Sequence, residues 1–283
     1  MTPPPLLSDH AKRGKLAKQI SSAEMPNCDK RGGGVKKNCL IVIPARYHSQ
    51  RFPGKVLEKI KGKPVLQWCY EAALKSGLGD VVIATEDKKV LDFTSSIRAK
   101  AILTSKDLES GTDRVFAAAK HTAHKFIINL QGDEPFMQAA TLRKAFDKLL
   151  AHTDSDIATA CSIITDKKEI NNPNCVKIAM NKKGQALYFS RSPIPFHHSL
   201  SKLSKKEPYY KHCGFYIYRK TALKKFISLP PSNLEKLERL EQLRALENGM
   251  KIVVVEVKTF GPAIDVPSDI KRAETYFKLN KGN

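Results

Sequence analysis

Apolar runs of strand length alternate with helix-like segments from residue 39 to residue 163, and this alternation constrains the fold more than any other feature. Residues 39–43 (CLIVI) are continuously apolar, which predicts a strand buried on both faces and ended by Pro44. Further strands are predicted at 81–84, 101–103, 126–130 and 157–163, and helices at 64–76, 87–97, 113–124 and 139–150. The pattern predicts an α/β fold in which a mostly parallel sheet is flanked by helices.

The sequence beyond residue 163 is less regular. Strands at 176–180 and 186–189 are predicted to form a hairpin around Lys183-Gly184. The remaining predicted elements are a strand at 214–219, a helix at 234–248, a strand at 251–257 and a helix at 268–278.

Residues 1–37 differ from the rest of the chain. They hold three consecutive prolines, three consecutive glycines, and eight basic against three acidic residues, a net charge of +5. This composition predicts a flexible basic tail at 1–37 and a single domain at 38–283. The segment lacks the apolar core of a secretory signal. Two alternatives to a flexible tail remain: a short basic leader of the organelle-targeting type, and extra residues that result from an upstream start codon.

The whole chain is strongly basic, with 49 Lys and Arg against 28 Asp and Glu and a net charge of +21. An excess of this kind favours acidic partners, namely nucleic acid, an anionic membrane surface or a phosphorylated small molecule. No run of 18 apolar residues predicts a membrane-spanning helix, so membrane insertion is not expected. The six cysteines form no C-x-x-C pair, and their scattered placement is typical of a reducing compartment.

The loop after the first strand, residues 44–55, carries three cations in ten residues: Arg46, Arg51 and Lys55. In parallel sheets, ligands bind beyond the carboxyl ends of the strands, where this loop lies. Arginine forks and a lysine suit a polyanion such as a triphosphate. The loop matches neither a Walker A motif nor a G-x-G-x-x-G motif. A solvated basic loop is the alternative interpretation.

A second polar loop follows the strand predicted at 126–130 and reads Gln131-Gly132-Asp133-Glu134-Pro135. Asp133 is placed to hold a magnesium ion, which prefers one or two carboxylates together with substrate phosphates. Alone, the motif is also compatible with an ordinary turn. Together with the cationic loop, it predicts a site for a metal and a triphosphate.

These two motifs, IPARxxSxRxPGK at 43–55 and QGDEP at 131–135, resemble those of the sugar cytidylyltransferases. The resemblance is closest to the 3-deoxy-manno-octulosonate cytidylyltransferase (CMP-Kdo synthetase) family and extends from residue 39 to about 277. Six further stretches agree in order: SGTDR at 110–114, NPNCVK at 172–177, ALYFSR at 186–191, HCGFY at 212–216, LEQLR at 240–244 and DVPSD at 265–269.

The resemblance implies that CTP and Kdo are converted to CMP-Kdo and pyrophosphate, for lipopolysaccharide biosynthesis in the cytoplasm. It also implies a nucleotide-diphospho-sugar transferase-like (Rossmann-like) fold, a smaller dimerisation hairpin region, a homodimer and a requirement for Mg²⁺.

The resemblance further implies roles for individual residues. Those expected to grip the triphosphate are Arg46, Arg51 and Lys55. Those expected to face the cytosine are Gln131 and the backbone around Ala45. Those expected to hold magnesium are Asp133 and Asp265. Those expected to contact the sugar acid are Arg191, His212, Glu241 and Gln242.

Several alternatives stay open at this point. An 8-amino variant of Kdo is a possible substrate, whereas the N-acetylneuraminate enzymes tend to lack the P-G-K that ends with Lys55. The net charge motivates a nucleic-acid-binding module, but the aromatic residues are not clustered as such a module requires. An inactive homologue is disfavoured because Lys55, Asp133 and Asp265 are all present. His212 could also be a structural histidine, and Glu241 could pair with Arg244.

Overall fold

Strand β1 (Cys39–Pro44) is buried at all six positions, as its apolar sequence predicts. The computed structural model describes residues 38–49, 51–196 and 208–279, so the tail predicted at 1–37 lies outside the described residues. In it, β1 pairs in parallel with β4 (Gly79–Thr85) on one side and with β6 (Phe126–Asn129) on the other. The carboxyl ends of three strands therefore meet at one edge of the sheet.

The other described strands are β2 (Lys59–Ile60), β3 (Lys63–Pro64), β5 (Ala101–Leu103), β7 (Ile157–Ile163), β8 (Lys177–Met180), β9 (Ala186–Ser190), β10 (Tyr210–Arg219) and β11 (Ile252–Glu256). The described helices are α1 (Val65–Ser76), α2 (Lys88–Ser96), α3 (Gly111–Ala119), α4 (Ala139–Ala151), α5 (Lys167–Ile170), α6 (Lys220–Ser228), α7 (Asn233–Glu238), α8 (Gln242–Glu247) and α9 (Ser268–Leu279). A short 3-10 helix covers Lys55–Leu57.

The main sheet has the strand order β11-β7-β10-β6-β1-β4-β5, and the β8–β9 hairpin joins it through β10. Strand β10 is antiparallel to both of its neighbours along this order, β6 and β7. The other pairings along the order are parallel. The predicted α/β fold with a mostly parallel sheet flanked by helices is thus confirmed. Strands β2 and β3 form a separate two-stranded sheet.

Hydrophobic clusters cover both faces of the sheet. Cys39, Ile41 and Ile43 of β1 belong to one cluster, with Phe146 of α4. Leu40 and Val42 of the same strand belong to the other, with Val115 of α3 and Phe226 of α6. Successive side chains of a strand point to opposite faces, so this division follows from the continuous apolar run. Burial of each large apolar side chain contributes about 1.5–3 kcal/mol to the free energy of unfolding.

The prediction of one helix at 234–248 is wrong, because the segment forms two helices, α7 and α8. Arg239 has a left-handed backbone conformation, with a φ of 53°, and this ends α7. The guanidinium of Arg191 donates to the carbonyl oxygens of Glu238 (2.7 Å) and Arg239 (3.2 Å) and stabilises the break. These contacts join segments that are distant in sequence, so the helical periodicity of residues 234–248 could not predict them.

Other elements also differ from the predictions. Helix α3 begins at Gly111 because Ser110 and Asp113 form a capping box there. Strand β10 begins at Tyr210 rather than 214 and is correspondingly longer. Helix α6 was not predicted, although Ala222, Leu223 and Phe226 supply its buried face.

Candidate active site

The loops after β1 and β6 lie side by side, because these strands are parallel neighbours in the sheet. Together they border a cavity of about 430 Å³. Its lining residues are Pro44, Arg46, His48, Ser49, Arg51, Lys55, Val56, Gly111, Gln131, Gly132 and Asp133. The structure therefore brings the cationic loop (residues 44–55) and the carboxylate loop (residues 131–135) into one site.

Lys55 lies between two carboxylates. Its ammonium nitrogen is 2.5 Å from Oδ2 of Asp133 and 3.2 Å from Oδ1 of Asp265. Only 12% of the lysine side chain is exposed. Burial by itself lowers the pKa of Lys55, but the charges and hydrogen bonds of Asp133 and Asp265 outweigh that effect and raise it. Lys55 is thus a fixed positive charge at the floor of the cavity.

Asp265 is held in place by the start of helix α9. The carboxylate of Asp269 accepts hydrogen bonds from the backbone N–H groups of Asp265 (2.9 Å) and Val266 (3.0 Å). The N–H of Ile264 donates to the carbonyl of Asp133 at 2.9 Å. Two segments far apart in sequence are therefore joined directly beside Lys55.

The two arginines of the cationic loop are more exposed than Lys55. Arg51 lies 3.1 Å from Oδ1 of Asp265, and 60% of its side chain is exposed. Arg46 donates to the carbonyl of Glu109 at 3.1 Å, near the end of the loop that leads into α3. Both side chains line the cavity and can reach an anion bound in it.

Gln131 is oriented by a chain of polar side chains behind the cavity. Its amide nitrogen donates to Oδ1 of Asn129 at 3.0 Å, and the Asn129 amide donates to the hydroxyl of Thr112 at 3.3 Å. Ala45, which is buried, is fixed by a 2.8 Å hydrogen bond from its N–H to the carbonyl of Ala84. These contacts leave Gln131 and the backbone near Ala45 at the cavity wall.

Glu134 connects the carboxylate loop to strand β10. The thiol of Cys213 donates to its Oε2 at 3.7 Å. A Cβ added at Gly214 would lie 2.5 Å from its Oε1, so the close approach needs glycine. Burial, followed by the nearby charge of Asp133, raises the pKa of Glu134 to about 7.

The four residues expected to contact the sugar acid do not line this cavity. Glu241 accepts a hydrogen bond from the Thr112 hydroxyl at 2.6 Å, and burial raises its pKa. It borders a second cavity of about 550 Å³, which also includes Ser110 and Arg244. The neighbouring Gln242 is only 8% exposed. Ser110 borders the second cavity and Gly111 the first, so both cavities lie beside the start of α3.

His212 and Arg191 are engaged within the protein. Nε2 of His212 lies 3.0 Å from the hydroxyl oxygen of Thr159, and burial lowers the pKa of His212 to about 3. The imidazole is therefore neutral near pH 7 and can offer a hydrogen bond but no positive charge. Arg191 donates to three carbonyl oxygens, those of Pro173, Glu238 and Arg239. Their roles towards a sugar acid stay predictions.

Two acidic residues near the site received no role from the sequence. Glu134 was seen only as the neighbour of Asp133. Glu86 follows the end of β4 and accepts a hydrogen bond from the backbone N–H of Tyr47, inside the cationic loop. The available signal was a carboxylate directly after a buried parallel strand for Glu86, and a carboxylate in the loop after such a strand for Glu134.

Comparisons with known proteins agree with this geometry. The family model described as cytidylyltransferase matches residues 40–252. The 3-deoxy-manno-octulosonate cytidylyltransferase of Elusimicrobium minutum is 47% identical over 241 residues, which are 85% of this chain and 98% of that protein. The enzyme of the same name from Solibacter usitatus is 43% identical over 247 residues, 87% of this chain and 97% of its own.

Among solved structures, the CMP:2-keto-3-deoxy-manno-octonic acid synthetase complexed with CTP superposes with a TM-score of 0.79. It is 38% identical, and the match covers 85% of this chain and 98% of that structure.

Proposed function

Because the chain belongs to the cytidylyltransferase family, we propose that it transfers CMP from CTP to 3-deoxy-D-manno-octulosonate (Kdo) and releases pyrophosphate. The observation that carries this proposal is the arrangement of Lys55, Asp133 and Asp265 beside the cationic loop. It supports the proposal because Lys55 and Asp133 line a cavity at the carboxyl ends of parallel strands, and Asp265 contacts Lys55 there. A relative of the same fold is complexed with CTP.

The cationic loop is proposed to bind the triphosphate of CTP. Arg46 and Arg51 present forked donors to phosphate oxygens, and Lys55 supplies a point charge. Gln131 and the backbone around Ala45 lie on the adjoining wall, where they are proposed to contact the cytosine.

Magnesium is proposed as the cofactor, and the donor set fits it. Asp133 and Asp265 direct carboxylate oxygens at the same cation, the ammonium of Lys55. No group of three or more His, Cys, Asp or Glu residues suited to a metal occurs among residues 38–49, 51–196 and 208–279. A site with two carboxylates suits an ion that takes its remaining ligands from water and substrate phosphates. When bound, the ion would neutralise charge on the transferring phosphate.

In this reaction an oxygen of the sugar forms a bond to the α-phosphorus, and the bond from that phosphorus to the departing pyrophosphate breaks. The protein's contribution is orientation and charge rather than covalent chemistry. Lys55 and the two arginines hold the negative charge that collects on the leaving pyrophosphate.

The sugar acid is proposed to lie near the start of α3, which both cavities border. Glu241 and Gln242 begin α8 there and can bond sugar hydroxyls, with neutral His212 as a further hydrogen-bonding group. Arg191 remains a proposed contact, because three of its five N–H donors bond carbonyl oxygens and two are left for a carboxylate.

We further propose a cytoplasmic homodimer that serves lipopolysaccharide biosynthesis. The dimer, the compartment and the pathway are proposed from the resemblance to the family to which the chain belongs. None of the helices in the described part of the chain is long and apolar enough to cross a membrane.

The decisive experiment is measurement of pyrophosphate release from CTP by the purified protein, in the presence of magnesium, with and without Kdo. The proposal predicts release that requires Kdo and is not supported by ATP or UTP. Release with 8-amino-Kdo or N-acetylneuraminate in place of Kdo would reassign the sugar. No release with any of the three sugars would refute the proposed function.

A further inference from the structure

Glu86 and Arg114 form an ion pair that is almost wholly removed from solvent. Nη2 of Arg114 lies 3.0 Å from Oε2 of Glu86, with 1% and 6% of the two side chains exposed. Nη1 of the same arginine donates to the Thr104 hydroxyl and, at 3.4 Å, to the carbonyl of Ser105. The pair thus joins the end of β4 to helix α3. A buried pair is weak support for stability, because desolvation offsets much of its attraction.

The other carboxylate oxygen of Glu86 faces the cationic loop. Oε1 accepts a hydrogen bond of 3.2 Å from the backbone N–H of Tyr47. Arg114 holds the carboxylate from one side and leaves this oxygen directed at the loop. Tyr47 follows directly after Arg46, so the bond fixes the backbone beside a cavity-lining arginine.

Tyr47 also bonds to residues at the far end of the loop. Its carbonyl accepts hydrogen bonds from the N–H groups of Ser49 (3.0 Å) and Gly54 (2.7 Å). Gly54 has a φ of 76°, and its missing side chain leaves room for the Tyr47 ring, which lies 3.3 Å from where a Cβ would stand. Lys55 is the next residue. Hydrogen bonds therefore run from the buried pair to the residue that precedes the lysine in contact with Asp133.

We propose that Glu86, the acidic member of this pair, positions the cationic loop through Tyr47, so that Arg46 and Lys55 are held at the spacing that a triphosphate requires. Glu86 is a positioning residue, because it does not line the cavity. The inference rests on the proposed function in one respect, namely that the loop binds a nucleoside triphosphate. A purely structural pair would stabilise the domain without affecting triphosphate binding selectively.

Two matched double variants separate these roles. Glu86→Met/Arg114→Met removes both charges and also the acceptor for the N–H of Tyr47. Glu86→Gln/Arg114→Met removes the same charges but keeps an amide oxygen at that place. Methionine is unbranched and adapts to the vacated space. Because an ion pair is absent from both variants, thermal melting should be similar and both should fold.

The first readout uses the protein without substrates. Amide hydrogen exchange at Tyr47 should be about tenfold faster in the Met/Met variant than in the Gln/Met variant, as loss of one hydrogen bond allows local opening. The second readout is calorimetric affinity for inorganic triphosphate, which should be about tenfold weaker in the Met/Met variant. Equal exchange or equal triphosphate affinity in the two variants would overturn the proposal.

Turnover gives a third readout that distinguishes this proposal from the proposed function. The KM for CTP should rise about tenfold in the Met/Met variant relative to the Gln/Met variant, with the KM for Kdo the same in both. A fall in kcat with both KM values unchanged would indicate a merely structural pair. If the wild-type protein binds triphosphate but turns over no sugar, the proposed function is refuted. The comparison of amide exchange and triphosphate affinity then still decides the role of Glu86.

Discussion

The ammonium of Lys55 lies 2.5 Å from the carboxylate of Asp133, although the two residues are 78 positions apart in the chain. The contact places a lysine where the proposed magnesium ion needs carboxylate oxygens. The ammonium of Lys55 and the proposed magnesium ion would therefore share the same ligands. This relationship leads to the first prediction.

Magnesium alone should bind weakly to the wild-type protein, because the ammonium of Lys55 already contacts Asp133 and Asp265 and competes for their oxygens. CTP offers phosphate oxygens to the lysine and should free the carboxylates for the metal. Thermal melting should show a small shift with Mg²⁺ alone and a large one with Mg²⁺ and CTP together.

In the variant Lys55→Met, Mg²⁺ alone should raise the melting temperature, since the two carboxylates are left without the lysine. Lys106→Met, which alters an exposed lysine, is the matched control and should behave as wild type. An equally large shift in wild type and Lys55→Met would contradict the shared-ligand interpretation.

Asp133→Asn and Asp265→Asn should each lower Kdo-dependent pyrophosphate release by about 10²-fold or more, because an amide is a poor replacement for a charged metal ligand. Circular dichroism should show that both variants are folded. The control is Asp92→Asn, which alters an exposed aspartate paired with Lys88 on α2. Turnover at the wild-type rate in either of the first two variants would refute the metal assignment.

Gly214→Ala should disturb the carboxylate loop, because the new Cβ would stand 2.5 Å from Oε1 of Glu134. We expect a loss of about 1–3 kcal/mol in the free energy of unfolding, as for other overpacked interiors. Turnover should fall as well, since Glu134 is adjacent to Asp133. Chemical denaturation and the pyrophosphate assay measure the two effects.

The double variant Gly214→Ala/Glu134→Asp tests whether that clash is the cause. Aspartate is shorter by one methylene and leaves room for the added methyl group. The double variant should lose less stability than the sum of the two single variants. Strict additivity would show that the effect of alanine arises elsewhere.

His212 should make the protein less stable as the pH falls from about 6.5 towards 3. Its pKa is lowered to about 3 in the folded protein, so over this range the unfolded chain binds a proton that the folded protein does not. Within that window, each unit of pH changes the contribution of His212 to the unfolding free energy by about 1.4 kcal/mol.

Denaturation at several pH values checks this prediction. His212→Gln should have a shallower dependence on pH between 6.5 and 3 than the wild type. The exposed His121→Gln should keep the wild-type dependence. If both variants have the same slope, His212 does not remain neutral in the folded protein.

The central part of the site can be predicted from the sequence, because loops that follow neighbouring parallel strands lie at the same edge of the sheet. Strands β1 and β6 are parallel neighbours, so the loops that carry Lys55 and Asp133 must meet. Asp265 contacts Lys55 from 210 positions away and follows no central strand, so only the resemblance to a family indicates it. Glu86 could have been found by the same rule as Asp133, since it follows the buried strand β4.

Local patterns predict the first half of the fold better than the second. The apolar runs of β1, β4 and β7 lie inside the sheet, where periodicity and burial agree. The break at Arg239 depends instead on the donors of Arg191, which come from another segment. No glycine or proline marks that break, so the helix pattern continues through it.

The central antiparallel strand has a consequence for synthesis of the chain. Strand β7 pairs with β10 and β11 in the described part of the sheet, and both follow it in sequence. While the ribosome has delivered only the segment up to Ile163, β7 has no strand to join and β6 has an open edge. Exposed edges and late, long-range pairing slow folding and favour aggregation of nascent chains. Truncations that end before Tyr210 should therefore be insoluble, and the sheet becomes complete only when the last third of the protein emerges.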